Sequence, residues 1–503
     1  MHVVCEQFSR WRRFCHTYAS ELMLFIPMAL MLFCIISIYT ILRNLKDTLV
    51  VCCTGGGELL GFLKLYFVLP AVVLSSIILV HLLNIFDKKK LFIVIILFFL
   101  IYFLLFAFIL FPLSDVLHIP EINIARLQMA YPRLYWLFPL IGNWSFSLFY
   151  IITELWASVV VCVLFWKVAN DITKLQQAKR FYVMFSLIGE IGALVSGLLI
   201  VFCSNFSKTQ ANAGITKEAF STTLFIQVSI VLLLGCLLLG TFLWLNKKVL
   251  SNADFSAPKT SCIEPRTKLG ILKSFKLIIT SPYLLRIAIL FLAYGAAINL
   301  VENVWKGELR EFCPDANDYN AWMGRFSTTT GAISILTAVV VQKLIRRFSW
   351  RVVASITPIT LMITALVFYT FLMYKNYAGN NILLLGVSLS FLTVLAGFMQ
   401  VSISKGVKYA VFDPTVQMAY IPLEPELRSK GQSIIGSLGT DGGKAIGAFI
   451  QSNLLIIAGG NVKLSDFANI LCALVTVIVI GWLFAISELS KRFEAMTAHG
   501  KEQ

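Results

Sequence analysis

Charge is scarce in this sequence. Only 14% of its 503 residues are Asp, Glu, Lys or Arg, whereas 58% are hydrophobic and the mean hydropathy is +0.83. A water-soluble domain of this length needs a charged shell, so the scarcity points to lipid as the solvent. Histidine is scarcer still, with five residues, no metal-spaced His or Cys cluster and no nucleophile triad. That leaves little material for a metalloenzyme or a hydrolase, and neither a metal nor a cofactor is expected. The eleven cysteines are scattered, many inside apolar runs as at Cys34, Cys162, Cys236 and Cys472, which fits neither a zinc site nor a disulfide framework. No small-residue cleavage site follows the first apolar run, so that run reads as a retained helix, and the lack of a long Ser- and Arg-rich extension before it argues against an imported organelle protein.

What fills the chain instead is a series of apolar segments. Residues 22–42, 59–83, 91–112, 144–166, 182–203, 224–245, 284–305, 325–345, 352–374, 382–403, 433–457 and 467–489 are each long enough to cross a hydrocarbon layer of roughly 30 Å as a helix. Helices are required because backbone groups in lipid must be satisfied within their own segment. The runs are apolar on every side, without the alternation of a membrane β-barrel. The chain therefore reads as an all-α polytopic membrane protein of about twelve transmembrane helices. Between the third and fourth runs, residues 113–143 hold three prolines and leave room for a re-entrant or interfacial segment.

Acidic residues are outnumbered 26 to 42, for a net charge of +16. In lipid this excess has a topological meaning and does not call for nucleic acid. The basic residues collect at Lys88–Lys90, Lys174–Arg180, Lys247–Lys276, Arg346–Arg351 and Arg428–Lys430, as expected of cytoplasmic loops. Both termini then lie in the cytoplasm. The expected organisation is a cytoplasmic N-terminus (1–21), a six-helix bundle (22–245), a lysine-rich cytoplasmic linker (246–283), a second six-helix bundle (284–489) and a cytoplasmic C-terminus (490–503). Weak internal repeats support two related halves. Arg43-Asn44-Leu45-Lys46 and Glu302-Asn303-Val304-Trp305-Lys306 end the first span of each half, and Gly189-Ala193-Gly197 and Gly439-Gly443-Gly447 form small-residue ridges on the fifth. Two six-helix halves about a central cavity is a major-facilitator-like plan.

Ionisable groups inside spans cost on the order of 2.5–3.5 kcal/mol each and face a cavity or a partner. Here they are Lys46, Lys64, Glu154, Glu190, Glu302, Asp441 and Lys444. Lys46 and Glu302 fall near expected span ends, where snorkelling is cheap. Glu154 is deeper and reads as pathway-facing. Lys444 needs an anion or a carboxylate, and Asp441, three residues earlier on the same helix face, offers an intrahelical partner. Both signs together suit a multiply charged anion such as a nucleotide, with lysines for phosphates and aromatics for a base. Glu190 and Asp441 are candidates for gating or coupling. The stretch Gly439–Ala445 is no P-loop, since Leu438 stands where the first glycine is needed and Ala445 replaces the Mg²⁺-binding hydroxyl.

Several stretches resemble the plastid and bacterial nucleotide transporter family, which contains the ADP/ATP translocases of chlamydiae, rickettsiae and plastids. They are Arg43–Leu49, Glu154–Ser158, Phe165–Asn170, Ala178–Tyr182, Ile298–Glu302 and, longest of all, Asp413-Pro414-Thr415-Val416-Gln417-Met418-Ala419-Tyr420-Ile421-Pro422-Leu423. The resemblance implies twelve helices and alternating-access nucleotide transport across a bacterial inner membrane, with ATP, ADP or another nucleotide as cargo. It also implies that Lys46, Glu154, Glu302 and Lys430 are substrate-binding or transport residues, to which the in-span reading adds Lys444. Val416-Gln417 stand where the ATP/ADP exchangers carry Lys-Glu, and Asp441 stands where they carry a basic residue. Besides ATP/ADP exchange these departures leave open a sibling for UTP, GTP or NAD, proton-coupled uptake through Asp441, or another organic anion. An enzyme would show a polar catalytic cluster at one membrane face and a sensor a soluble output domain, and neither is visible. Apart from lipid and cargo, no protein partner is called for.

Overall fold

The structure, a computed structural model, describes the backbone of residues 2–173, 175–215, 218–249, 281–379, 382–384, 386–423 and 425–499. Most of the linker expected at 246–283 therefore lies outside the described residues. Among those residues eleven helices are long and apolar enough to cross a membrane. In chain order they are α1 (Glu21–Thr54), α2 (Leu59–Leu79), α3 (Lys89–Leu110), α4 (Trp144–Ala169), α5 (Leu187–Asn212) and α6 (Ala219–Lys247), then α7 (Pro282–Phe312), α8 (Ala316–Val341), α9 (Trp350–Ala378), α10 (Leu389–Ala419) and, last, the helix Leu464–Met496. The segment expected as a further span, 433–457, is helical within Pro425–Ala458, labelled α11 here, so that Leu464–Met496 is α12. Helix α11 fails only on composition, because its glycines and its Asp441–Lys444 pair dilute the apolar character.

Several spans run past their expected ends. Helix α1, with an expected end at residue 42, continues to Thr54, α7 continues from 305 to Phe312, and α10 from 403 to Ala419. The reason is electrostatic. A hydropathy window closes at the first charges, but a helix does not end there when those charges find partners inside the protein. Lys46, Asp47 and Lys306 are 1–2% exposed, so Lys46 does not snorkel from a span end as expected. Six of the spans also widen into π-helical turns, at Leu49–Thr54, Leu63–Val68, Phe106–Leu110, Trp156–Leu164, Leu245–Val249 and Lys408–Phe412. The 113–143 connection forms short helices at Ser114–Leu117, Glu121–Ala130 and Leu137–Gly142, none long enough to span. Its Val116 and Met129 are 81% and 80% exposed.

Two large apolar cores divide the molecule, one built mainly from α1, α3, α4 and α6, the other mainly from α7–α12. Val50, Val51, Leu59–Leu63 and Trp136 belong to the first half by sequence but pack in the second core, so the halves interlock at that end. The glycine ridges act as close-approach surfaces. Gly443 and Gly447 sit against Leu292, Gly295 and Ala296 of α7, and Gly192 sits against Phe33 and Ser37 of α1. Gly197 meets Gly324 and Thr328, which brings α5 of one half onto α8 of the other.

Candidate substrate cavity

Where α1, α2, α4, α7, α10 and α11 converge between the halves they enclose a cavity of about 120 Å³. Its most ordered feature is a chain of alternating charges. Glu154 on α4 accepts from Lys46 at 2.8 Å, and Lys46 also reaches its neighbour Asp47 at 3.2 Å. Asp47 accepts from Lys306 of α7 at 2.8 Å, which is the step that crosses from one half to the other. Lys306 and Lys405 of α10 both reach Glu302 at 2.8 Å. Three ammonium groups and three carboxylates therefore alternate and cancel. In a poorly solvated place such pairing is what makes burial tolerable, because each charge would be costly alone. Lys46 is further held 3.4 Å over the face of Tyr150.

The central link has a geometric origin in the repeat. Asp47 and Lys306 are 259 positions apart, as are Val51 and Arg310, whose guanidinium donates to the Val51 carbonyl at 3.2 Å. In the sequence the same offset separates Arg43 from Glu302 and Asn44 from Asn303. Helices α1 and α7 thus meet at matching positions of the repeat, and at one of them, Asp47 and Lys306, the charges are of opposite sign and pair.

Other cations surround this chain. Lys408 pairs with Asp413 at 2.9 Å and Lys444 with Asp441 at 3.0 Å. The intrahelical Asp441–Lys444 pair expected from the sequence is present. Its two side chains are 47% and 40% exposed, so the pair is not sealed in a dry interior. Arg43 lies 5.7 Å from the centre of the Tyr39 ring and donates to Ser327 at 3.2 Å, while Lys64 donates to Asn299 and Asn303. Neither has a carboxylate in ion-pair reach among the described residues. Tyr39, Tyr294 and Tyr409 supply aromatic wall. The balance of the lining is cationic and partly aromatic, which is chemistry for a polyanion that carries a ring.

Of the residues singled out in the sequence, Lys46, Lys64, Glu154, Glu302 and Lys444 line this one cavity, and Asp441 joins it through Lys444. Glu190 does not. It lies on α5 facing α8, where its side chain bonds Ser334 and its backbone approaches Gly331. The side chain of Lys430 lies outside the described residues, and only its place in α11 is given. Sequence reasoning missed Arg43, Asp47, Lys405 and Lys408 as site residues and took Lys306 only as a repeat marker. The repeat register, with Arg43 opposite Glu302 and Asp47 opposite Lys306, is the signal that would have found three of these five.

Solved transporters share this architecture. A bacterial homologue of the iron transporter ferroportin in an inward-facing state matches with a TM-score of 0.59 at 13% identity, covering 94% of this chain and 99% of that one. The xylose transporter XylE of E. coli matches with 0.53 at 11% identity, covering 92% and 97%. At those identities the likeness concerns fold alone, and the fold is that of the major-facilitator transporters. Sequence relatives say more. An ADP,ATP carrier protein 1 of Rickettsia typhi is 38% identical over 94% of this chain and 93% of its own length, and that of Chlamydia pneumoniae is 36% identical over 96% and 93%. The profile of the TLC ATP/ADP transporter family matches residues 2–493. With the match running through both halves and every helix that builds the cavity, this chain is a multi-pass integral membrane protein belonging to the TLC ATP/ADP transporter family.

Proposed function

We propose that the chain exchanges adenine nucleotides, ATP against ADP, by alternating access of the central cavity to the two sides of a bacterial inner membrane. The observation that carries this reading is the cavity itself, at the junction of the halves, with tyrosines along its wall and with Arg43 and Lys64 having no carboxylate in ion-pair reach among the described residues. In this reading Lys46, Glu154, Glu302 and Lys444 contact or release the phosphates. Entering phosphate oxygens compete with Glu154, Asp47 and Glu302 for the lysines, and in doing so loosen the one ionic link, Asp47–Lys306, that ties α1 to α7. Lys430, on the same helix as Lys444, is assigned to the entry path. In this reading the termini and linker lie in the cytoplasm, which the basic loops favour, and the bundles at 22–245 and 284–489 are the moving bodies.

The test is uptake of labelled ATP, ADP, UTP, GTP and NAD by bacteria expressing the chain, with and without internal nucleotide. Stimulation of ATP uptake by internal ADP is the expected result, and uptake of none of these compounds would sink the reading.

A second reading, proton-coupled uptake of a nucleoside triphosphate, is favoured by the half-exposed Asp441 carboxylate beside Lys444. Under it, uptake collapses with a protonophore and Asp441→Asn abolishes the dependence on the pH gradient. An Asp441→Asn variant that keeps that dependence removes Asp441 as the proton site. Glu190, outside the cavity on the α5–α8 contact, is assigned to gating between the halves.

A further inference from the structure

The connection between α3 and α4 is tied down along its length. It leaves α3 with little slack, since only Phe111, Pro112 and Leu113 precede the short helix Ser114–Leu117, and the Leu113 nitrogen still donates to the Ile109 carbonyl at 3.2 Å. It is then pinned to the start of α4. The Ile119 nitrogen donates to the Gly142 carbonyl at 3.1 Å, the Trp144 indole donates to the Leu117 carbonyl at 3.0 Å, and His118 Nε2 lies 2.7 Å from the Ser145 hydroxyl. Ile124 packs on Gly142 so closely that a Cβ there would stand 2.4 Å from its Cδ1. Past the helix Glu121–Ala130 a last tie crosses to the other half. The Gly460 nitrogen donates to the Pro132 carbonyl at 2.8 Å, and the Trp136 indole donates to the Val462 carbonyl at 3.1 Å, both in the loop between α11 and α12.

A helix tied this closely to two span ends cannot stand far from the hydrocarbon edge. One face of Glu121–Ala130 is turned out. Ile124 is 8% exposed and faces the protein, whereas Ile122 (63%) and Met129 (80%) lie on the opposite side, two helical turns apart and nearly aligned. Arg126 falls between them on that face, where its stem can lie along apolar surface while the guanidinium reaches outward. Val116 is 81% exposed on the preceding short helix. On either side in the chain, Leu113, Ile141 and Trp144 are 39–48% exposed and lead into the outer surface of α3 and α4. The occupant that this continuity selects is the lipid that already covers those spans.

We propose that residues 114–136 form a strap seated in the bilayer surface at the end where the halves interlock. Val116, Ile122 and Met129 lie among the acyl chains just under the headgroups, with Arg126 at the level of the lipid phosphates. The Pro132–Trp136 end holds the α11–α12 loop of the second half against the first. Because the seat keeps the strap from following that loop, this end opens only by breaking the two bonds at Gly460 and Val462. The contact is independent of the cargo.

The test is photocrosslinking of the full-length chain in vesicles of phosphatidylethanolamine and phosphatidylglycerol. Benzoylphenylalanine replaces Ile122, Met129 or, as a reference on the outer surface of α5, Phe202, which is 66% exposed. Irradiation is expected to add the mass of one phospholipid at all three positions in comparable yield. Lipid adducts at Phe202 with none at Ile122 and Met129 would overturn the seat. A protein adduct at either strap position overturns it too, by giving that face to a second copy or another chain.

The tie to the second half is read separately. Ile122→Asp combined with Met129→Asp should unseat the strap and speed labelling of Cys53, exposed at the end of α1, by a water-soluble maleimide several-fold. Trp136→Phe, which removes the bond to Val462, should speed it as well while leaving the lipid adduct at Met129 in place. If neither variant changes Cys53 labelling, the segment merely rests on the membrane and the strap assignment falls.

Discussion

At the scale of single residues, Asp47 carries the ionic link between the halves of the cavity, because it is shared between Lys46 of its own helix and Lys306 of α7. Replacing it by Asn leaves two buried ammonium groups facing each other with one carboxylate fewer. Loss of one partner from a buried pair typically costs about 3–5 kcal/mol, and a wet cavity reduces that figure. The expected outcome for Asp47→Asn is a lowered melting temperature in detergent and transport reduced at least tenfold. A pairwise test is cleaner. Asp47→Lys and Lys306→Asp should each be severely impaired, and the double reversal should recover activity, with a coupling energy of about 0.5–3 kcal/mol. A double variant no better than the worse single one would mean that the two side chains act independently.

Lys46, Glu154, Glu302 and Lys444 were legible as site residues because a charge within an apolar run is tolerated only where a cavity or a partner receives it. Lys405 and Lys408 were not, since the apolar run ends before them and a basic residue beyond a run reads as a loop. Only their partners, Glu302 and Asp413, reveal that the helix goes on.

At the scale of elements, the glycines were legible as close-approach surfaces, but not which helix each one meets. Gly57 carries the tightest inter-half approach outside the membrane-spanning helices. A Cβ added there would sit 2.7 Å from the Gly307 nitrogen and 2.8 Å from the Asn303 carbonyl, both backbone atoms that cannot swing aside. Gly57→Ala is therefore expected to push the α1–α2 turn away from α7. The cost should be about 1–3 kcal/mol, the range for overpacking, and it falls on the one conformation in which these segments touch. Cysteine accessibility at Cys53, exposed in that turn region, measures the effect. Labelling should speed up in Gly57→Ala, and unchanged labelling would show that the turn adapts without separating the halves.

The π-helical turns escaped the sequence for a different reason. A widened turn adds a residue without changing hydropathy, so the 3.6-residue period slips unseen. Lys64 lies in one such turn and Lys408 opens another, while Glu154 comes two residues before a third. Which way these three charges point was thus beyond any periodicity argument, although that they sit within spans or next to them was not.

At the scale of the whole molecule, the described hydrogen bonds between the halves gather at the level of the charge relay and at the end that carries the α1–α2 turn. There Glu58 Oε1 accepts from the Leu464 backbone at 3.2 Å, the Trp136 indole donates to Val462 at 3.1 Å, and the Gly460 nitrogen donates to Pro132 at 2.8 Å. Lys208 and Asp318 add an exposed ion pair at 2.7 Å, and such pairs contribute little, about 0–1 kcal/mol. The structure is closed at this end. Under the proposed topology it is the side facing away from the cytoplasm.

Opening it must expose Glu58, which is 7% exposed when closed. Burial pushes the Glu58 carboxyl above its ordinary value, outweighing its backbone N–H partners and the nearby Lys463, while Glu311 pushes in the same direction as burial. Lys463 itself is engaged by Glu311 at 2.5 Å and is not free to neutralise Glu58. The closed form therefore binds a proton more tightly than the open form, in which the value returns to about 4.3. It follows by linkage that the closed form gains stability as pH falls through the raised value, and that the gain is complete below the ordinary one. Acidifying the medium on the Glu58 side should slow exchange several-fold. Glu58→Gln keeps an oxygen for the Leu464 N–H and removes the titration, so its exchange rate should be slow and flat across the same range. A Glu58→Gln profile that follows the wild type would place the acid sensitivity elsewhere and show that opening does not carry the Glu58 carboxylate into water.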